Sequence, residues 1–316
     1  MYRIGVDLGG TNIVVGVINE ENKIIAKASR KTNCPRPAEG IFDDMADAIK
    51  EAMDQAHITV KDVVSVGVGT PGSVNKEEEL IEFANNLAFN NVPAYALLRE
   101  RIGIEKVYFD NDANCAALGE AVAGCGKGVR DFVMITLGTG VGSGIIVNGK
   151  LVTGVNYAAG EMGHMVIEYN GIPCNCGRKG CWESYSSATA LIVQTKDAMK
   201  LNPDSLMWEI ADGDFNNVNG RTAFEAARKG DGAAKQVVNS YISHLSIGIG
   251  NVVNIFQPDV VCVGGGIGNE KENLLAPVRK LVVSERYSIH AKKQTQILSA
   301  VLGNDAGIIG AALLDE

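Results

Sequence analysis

The chain opens on three short runs whose apolar residues alternate or cluster as strands require. Tyr2–Leu8, Ile13–Ile18 and Lys23–Lys31 are rich in Ile and Val and are broken by Gly-Gly-Thr and Glu-Glu-Asn turns. The period then changes. Ile41, Met45, Ala48, Ile49, Ala52 and Met53 recur at helical spacing and predict a helix over Ala38–Ala56. Buried strands are predicted at Val63–Gly69 and Val107–Phe109, and a helix over Ala113–Val122. The pattern recurs downstream, with strands at Asp131–Leu137, Ser143–Val147 and Lys150–Thr153. Helices follow over Ser187–Lys200, Arg221–Lys229 and Gly232–Phe256. The chain closes with a strand at Val260–Val263, a helix at Lys271–Ser284, a strand at Gln296–Val301 and a helix at Asp305–Leu314. Two similar halves, each opening strand, glycine turn, strand, predict a duplicated α/β fold with a cleft between the halves.

Composition narrows the classes open to it. With 316 residues and 46% apolar content, the chain can bury a core for two domains or one large one. A net charge of −8 without a Lys/Arg block argues against nucleic acid as a partner. No apolar run reaches the ~18 residues of a membrane span, so no membrane is expected. Met-Tyr-Arg-Ile-Gly-Val-Asp lacks the apolar stretch of a secretory signal. Of seven cysteines, Cys34, Cys115, Cys125 and Cys262 are scattered and read as small buried apolar residues. Such reduced-thiol usage places the protein in the cytoplasm.

The other three cysteines carry chemistry. His164, Cys174, Cys176 and Cys181 supply one imidazole and three thiols, a complete tetrahedral set for a structural zinc. Glu161 and Glu183 flank the quartet, so a metal knot there would fix two carboxylates for a polar ligand. Two glycine turns between strands add to this. In Asp7-Leu8-Gly9-Gly10-Thr11-Asn12 the glycines let backbone N–H groups approach a phosphate, and Thr11 adds a hydroxyl. Asp7 could hold Mg²⁺ through water. Leu137–Gly144, with Thr139 and Gly140 at its tip, repeats the design. It lacks the lysine of a P-loop and the following helix of a dinucleotide fingerprint. The strand running into Gly264, Gly265 and Gly266 offers small residues against which a flat adenosine ring could lie. In Phe109-Asp110-Asn111-Asp112-Ala113-Asn114, Asp112 suits either a helix N-cap or a base that takes a hydroxyl's proton at phosphorus. Asp110 competes for the latter role. Thr70-Pro71-Gly72-Ser73 and Asn85-Asn86-Leu87 are further polar loops that could meet a sugar.

Together these residues resemble the ROK family of bacterial sugar kinases and repressors, within the actin/hexokinase-like (ribonuclease H-like) fold. The likeness spans essentially the whole chain and rests on Asp7–Thr11, Asn111–Asn114, Leu137–Gly144 and the Cys-X-Cys-Gly-X-X-Gly-Cys-X-Glu core. It implies ATP-dependent phosphorylation of a hexose 6-hydroxyl, glucose above all, with N-acetylmannosamine, allose or fructose as alternatives. It implies Asp112 as the base. Asn111, Glu161, His164 and Glu183, with Gly72 and Asn86 added, would bind the sugar, and His164 would serve both sugar and zinc. Asp7, Gly9, Gly10, Thr11 and Asn12 form the first phosphate turn, Thr139 and Gly140 the second, and Gly264–Gly266 the adenosine region. ATP, Mg²⁺ and structural Zn²⁺ are the implied cofactors, and a homodimer or homotetramer the implied assembly. The implied division is a smaller domain of 1–115 plus 303–316 and a larger one of 116–302. Asn12 stands where many relatives carry lysine, and Ala88-Phe89 departs from the more frequent aromatic pattern. Asp7 follows the first residues directly, so the helix-turn-helix of the repressor members is not expected. A non-catalytic sugar sensor and a polyphosphate-dependent kinase complete the alternatives.

Overall fold

The structure, a computed structural model, describes residues 1–315. Its first sheet is built from β1 (Tyr2–Leu8), β2 (Asn12–Ile18), β3 (Ile24–Lys31), β4 (Val63–Thr70) and, after three short strands, β8 (Val107–Asn111). The short strands β5 (Ser73–Asn75), β6 (Leu80–Ala84) and β7 (Phe89–Val92) form a small antiparallel sheet of their own. The second large sheet holds β9 (Phe132–Leu137), β10 (Val141–Val147), β11 (Lys150–Leu151), β12 (Val260–Gly264) and β13 (Gln296–Ser299). The orders are β3-β2-β1-β4-β8 and β11-β10-β9-β12-β13. Counted along the chain within its own sheet, each runs third, second, first, fourth, fifth. The same topology is thus used twice, as the repeated pattern predicts.

The chain divides into two compact units. The first comprises Met1–Met134, Gly144–Gly160 and the chain from Val301; the second comprises Ile135–Ser143 and Glu161–Ala300. The expected boundary after residue 115 falls inside α3 (Asp112–Val122), whose Cys115 and Gly119 both pack on the C-terminal helix, so the first unit continues past it.

In the first unit the helices are α1 (Ala38–Gln55), α2 (Ala94–Ile102), α3 and α11 (Asp305–Ala312). The apolar stripe of α1, including Ile41, Met45, Ile49 and Ala52, is fully buried with Ile4, Val6, Val15 and Val66 of the sheet. Each of these Ile, Met and Val side chains contributes about 1.5–3 kcal/mol. α11 lies on the other face, so close that Cβ atoms at Gly5 and Gly67 would meet its carbonyl oxygens at 1.8 and 1.7 Å.

The second unit carries α4 (Glu183–Ser186), α5 (Ala188–Leu201), α6 (Leu206–Ile210), α7 (Thr222–Arg228), α8 (Gly232–Phe256), α9 (Gly265–Gly268) and α10 (Glu272–Glu285). α8 is central, with α5, α7 and α10 packed on it. Trp182 is fully buried against Gly248 of α8 and donates its indole N–H to the His244 carbonyl at 3.1 Å.

The long predicted elements are present with small shifts at their ends. Lys150–Thr153 shrinks to a two-residue strand. The small sheet β5–β7, α2 and α6 are absent from the sequence reading, because Pro, Asn and Glu interrupt their apolar pattern. Among the described residues no helix is long and apolar enough to cross a membrane.

Candidate active site

In the first unit β1 delivers Asp7 to the mouth of the first glycine turn. The turn is tight, with the Gly9 N–H donating to the Asn12 carbonyl at 2.9 Å. The end of β3 braces it: Thr32 donates its hydroxyl to the Gly9 carbonyl at 2.6 Å and its N–H to the Thr11 carbonyl at 3.0 Å. Thr11 is exposed at the tip. Lys31 reaches across the hairpin to donate to Asn12 Oδ1 at 2.8 Å, so an ammonium stands beside position 12 although the residue itself is Asn. The Asp7 carboxyl is pushed up from 3.8 to about 6, first by burial and then by the negative charge of Asp112. Asp7 and Asp112 therefore feel one another beside a glycine turn.

β8 ends and α3 begins at the second element of the site. Asn111, still extended and paired with Thr70, is the N-cap; its Oδ1 accepts the Ala113 N–H at 2.9 Å. Asp112 is not the cap, because the strand register holds Asn111 extended and the helix starts one residue later. Asp112 lies in the first turn of α3, exposed, where the helix dipole favours its negative charge. Asp110 is different. It is 3% exposed and accepts the Asn111 N–H at 2.7 Å, the Asn114 amide at 2.8 Å and the Lys76 ammonium at 2.5 Å. With those donors engaged, Asp110 holds the corner together, and Asp112 keeps the candidacy for base.

Two further candidates join this region. The Asn111 amide donates to the Gly72 carbonyl at 3.2 Å. Gly72 has φ +89°, and a Cβ there would lie 1.9 Å from the Phe83 carbonyl oxygen, so only glycine fits. Asn86 neighbours the first turn, its carbonyl oxygen 3.3 Å from where a Gly10 Cβ would stand. The fold thus gathers Asp7, Gly9, Gly10, Gly72, Asn86, Asn111 and Asp112 in one region of the first unit.

The second unit gathers the rest. His164 Nδ1 lies 3.6 Å from Cys174 Sγ, and Cys176 Sγ lies 3.7 Å from Cys181 Sγ. All four ligand atoms fall within 4.8 Å of one another. A tetrahedron with Zn–S of about 2.3 Å and Zn–N of about 2.0 Å has edges of about 3.5–3.8 Å, which the His164–Cys174 and Cys176–Cys181 separations match, so the four residues could hold a zinc ion. Burial and the neighbouring thiols push the Cys181 thiol up to about 12, which disfavours a thiolate there without a cation. Short bridges Val166–Cys181 and Pro173–Lys179 shape the loop, and Trp182 ties it to α8.

The loop's output lies on the second glycine turn. Glu183, the first residue of α4, accepts the Val141 N–H through Oε2 at 3.0 Å. That oxygen would be 2.2 Å from a Cβ on Gly140, so a side chain there would push the Glu183 carboxylate off the turn. Thr189 donates to the Thr139 carbonyl at 2.7 Å. The turn of Glu161–His164 packs beside them, with Gly163 against the Val141 carbonyl and the Met162 N–H donating to Ser143 Oγ at 3.3 Å. Gly265, at φ +81°, lies so close to the Leu137 backbone that a Cβ there would meet its nitrogen and oxygen at 2.6 Å, which places Gly264–Gly266 next to the same turn. Glu161, His164, Glu183, Thr139, Gly140 and the Gly264 corner are therefore neighbours in the second unit. The sequence reading missed the grip of Glu183 on the glycine turn and the part played by Lys76. A lone exposed-looking lysine in Asn-Lys-Glu-Glu-Glu carries no signal of a buried partner.

Residues 3–316 match the sequence pattern of the ROK family. A glucokinase of Thermotoga maritima is 37% identical over 98% of this chain and 95% of its own. A xylose repressor of Caldicellulosiruptor bescii is 29% identical over 97% of this chain and 76% of its own. Among solved structures, a ROK family glucokinase from Streptomyces griseus in complex with glucose and AMPPNP superposes with TM-score 0.82 at 35% identity, covering 99% of both chains. The fold is of the actin/hexokinase-like class. The chain belongs to the ROK family.

Proposed function

We propose that the protein is a glucokinase-like sugar kinase that transfers the γ-phosphoryl group of ATP to the 6-hydroxyl of a hexose, glucose foremost. The observation that carries this reading is the gathering of two carboxyls, Asp7 and Asp112, beside the first glycine turn, where burial and then the charge of Asp112 push Asp7 up to about 6. Burying Asp7 near a second negative charge costs stability, and such strain is characteristic of functional sites. Full-length similarity to enzymes named glucokinase supports the same reading.

In this mechanism Asp112 accepts the proton of the sugar hydroxyl as its oxygen attacks phosphorus. In the first unit Asn111 and Gly72, tied together, and Asn86 are the proposed contacts to ring hydroxyls; in the second unit the proposed contacts are Glu161, His164 and Glu183. The turn of Gly9, Gly10, Thr11 and Asn12, closed by the Gly9 N–H, and the turn of Thr139 and Gly140 offer their remaining backbone donors to phosphate oxygens, and Gly264–Gly266 receive the adenosine. Mg²⁺ fits beside Asp7, where it would relieve the carboxylate repulsion and neutralise phosphate charge. Zn²⁺ fits His164, Cys174, Cys176 and Cys181, and its service is to hold Glu161, His164 and Glu183 in place. With Nδ1 turned to the thiols, the other imidazole nitrogen of His164 is left for the sugar. The protein acts in the cytoplasm, where ATP is the donor.

A coupled assay across glucose, N-acetylmannosamine, allose and fructose, with ATP or polyphosphate, tests the assignment. Glucose with ATP should give the highest kcat/KM. A tenfold preference for another sugar would replace glucose, and no turnover with any sugar or donor would favour the sensor.

A further inference from the structure

Lys76 belongs to no motif, yet it makes the only ammonium contact to Asp110 among the described residues. It is the first residue of the turn joining β5 to β6, and its side chain is 35% exposed while that of Asp110 is 4% exposed. The turn is well ordered around it. Asn75 accepts the N–H groups of Glu77 and Glu78 at 3.1 Å, and its amide donates to Glu82 at 3.1 Å. At the turn's far end Glu79 takes both Nη atoms of Arg99 of α2, at 2.6 and 2.8 Å. The hairpin therefore has its own supports, and the Lys76–Asp110 pair is an added link from its tip to the end of β8.

What the link joins gives it meaning. The small sheet begins just after Gly72 and has Asn86 between β6 and β7, both candidate sugar contacts. The end of β8 carries Asn111 and leads into Asp112. We infer that Lys76 is a positioning residue whose ion pair with Asp110 latches the sugar-contacting hairpin sheet to the corner that presents the base. The inference rests on the reading of Asp112 as that base. Removing one partner of a buried pair leaves an uncompensated charge, whereas removing both does not. An Asn at position 110 still accepts the Asn111 N–H and the Asn114 amide through its one oxygen, so the double change deletes the latch and spares the corner.

The test is a set of variants of the full chain, assayed for kcat, for KM of sugar and nucleotide, and for thermal unfolding. Lys76→Met should lose stability and lower kcat at least tenfold, with the sugar KM raised and the ATP KM within about twofold of the parent. Lys76→Arg, which keeps the pair, should restore kcat to within about threefold. Lys76→Met combined with Asp110→Asn should regain the parent's melting temperature yet keep kcat at least tenfold low. A double variant with the parent's kcat overturns the inference, because the pair would then serve stability alone. Asp112→Asn, run beside them, separates this failure from that of the functional reading: if it too retains full turnover, the base assignment has failed, and if it alone is inactive, only the latch has.

Discussion

At the scale of single residues, the site is paid for in stability at Asp7. Its carboxyl is raised from 3.8 to about 6, mainly by burial. The folded state therefore holds the proton more tightly than the unfolded chain does. The stabilisation this gives is complete below pH 3.8 and is lost as pH rises through about 6. The difference corresponds to about 3 kcal/mol. Asp7→Asn should accordingly unfold at a higher temperature than the parent near pH 7.5, and the gain should fade as the pH is lowered toward 4. The same variant should lose Mg²⁺-dependent turnover. Calorimetric scans across pH check the first expectation, and a variant no more stable than the parent at pH 7.5 would contradict it. That His164, Cys174, Cys176 and Cys181 come together was legible in the sequence, because the four stand in one short local pattern. That Lys76 pairs with Asp110 was not legible, since it reaches Asp110 from 34 positions away.

At the scale of elements, the glycines of the Gly264 corner separate a packing role from a binding one. Gly265 has φ +81° and abuts the Leu137 backbone, whereas a Cβ on Gly266 would meet only the Leu137 oxygen, at 3.9 Å. Gly265→Ala should destabilise the fold by about 1–3 kcal/mol through strain and clash. Gly266→Ala should leave unfolding unchanged and raise the KM for ATP if adenosine lies there. Thermal melts and nucleotide kinetics on the two variants read this directly. The zinc loop acts at the same scale. Cys176→Ala should strip zinc and raise the sugar KM at least tenfold while most of the fold survives, because Trp182 and the core of α8 lie behind the loop. Metal analysis with sugar titration would expose the assignment as wrong if the variant kept both. Long elements such as α1 and α8 announce themselves by period. The small sheet β5–β7 does not: its strands are only three to five residues long, too short for a period to show.

At the scale of the whole molecule, the duplication is the deepest regularity. Both large sheets use one strand order, and each places a glycine turn between its first two strands. That repeat was readable because strand, glycine turn, strand recurs in the sequence. The domain limits were less so. α11 returns from the end of the chain to cover Gly5 and Gly67, and nothing local at residues 301–315 shows where it docks. Gly67→Ala should therefore cost at least 2 kcal/mol, since the new Cβ would meet the Ala311 oxygen at 1.7 Å. Chemical denaturation checks it, and a cost below 1 kcal/mol would mean that α11 yields readily.

The central claim is that Asp112 takes the hydroxyl proton in a sugar kinase. The most direct measurement compares Asp112→Asn with the parent for ATP-dependent turnover of glucose and, by calorimetry, for glucose binding. The kcat should fall about 10²- to 10⁴-fold with the glucose affinity changed by less than about fivefold. Turnover within a few-fold of the parent would contradict it.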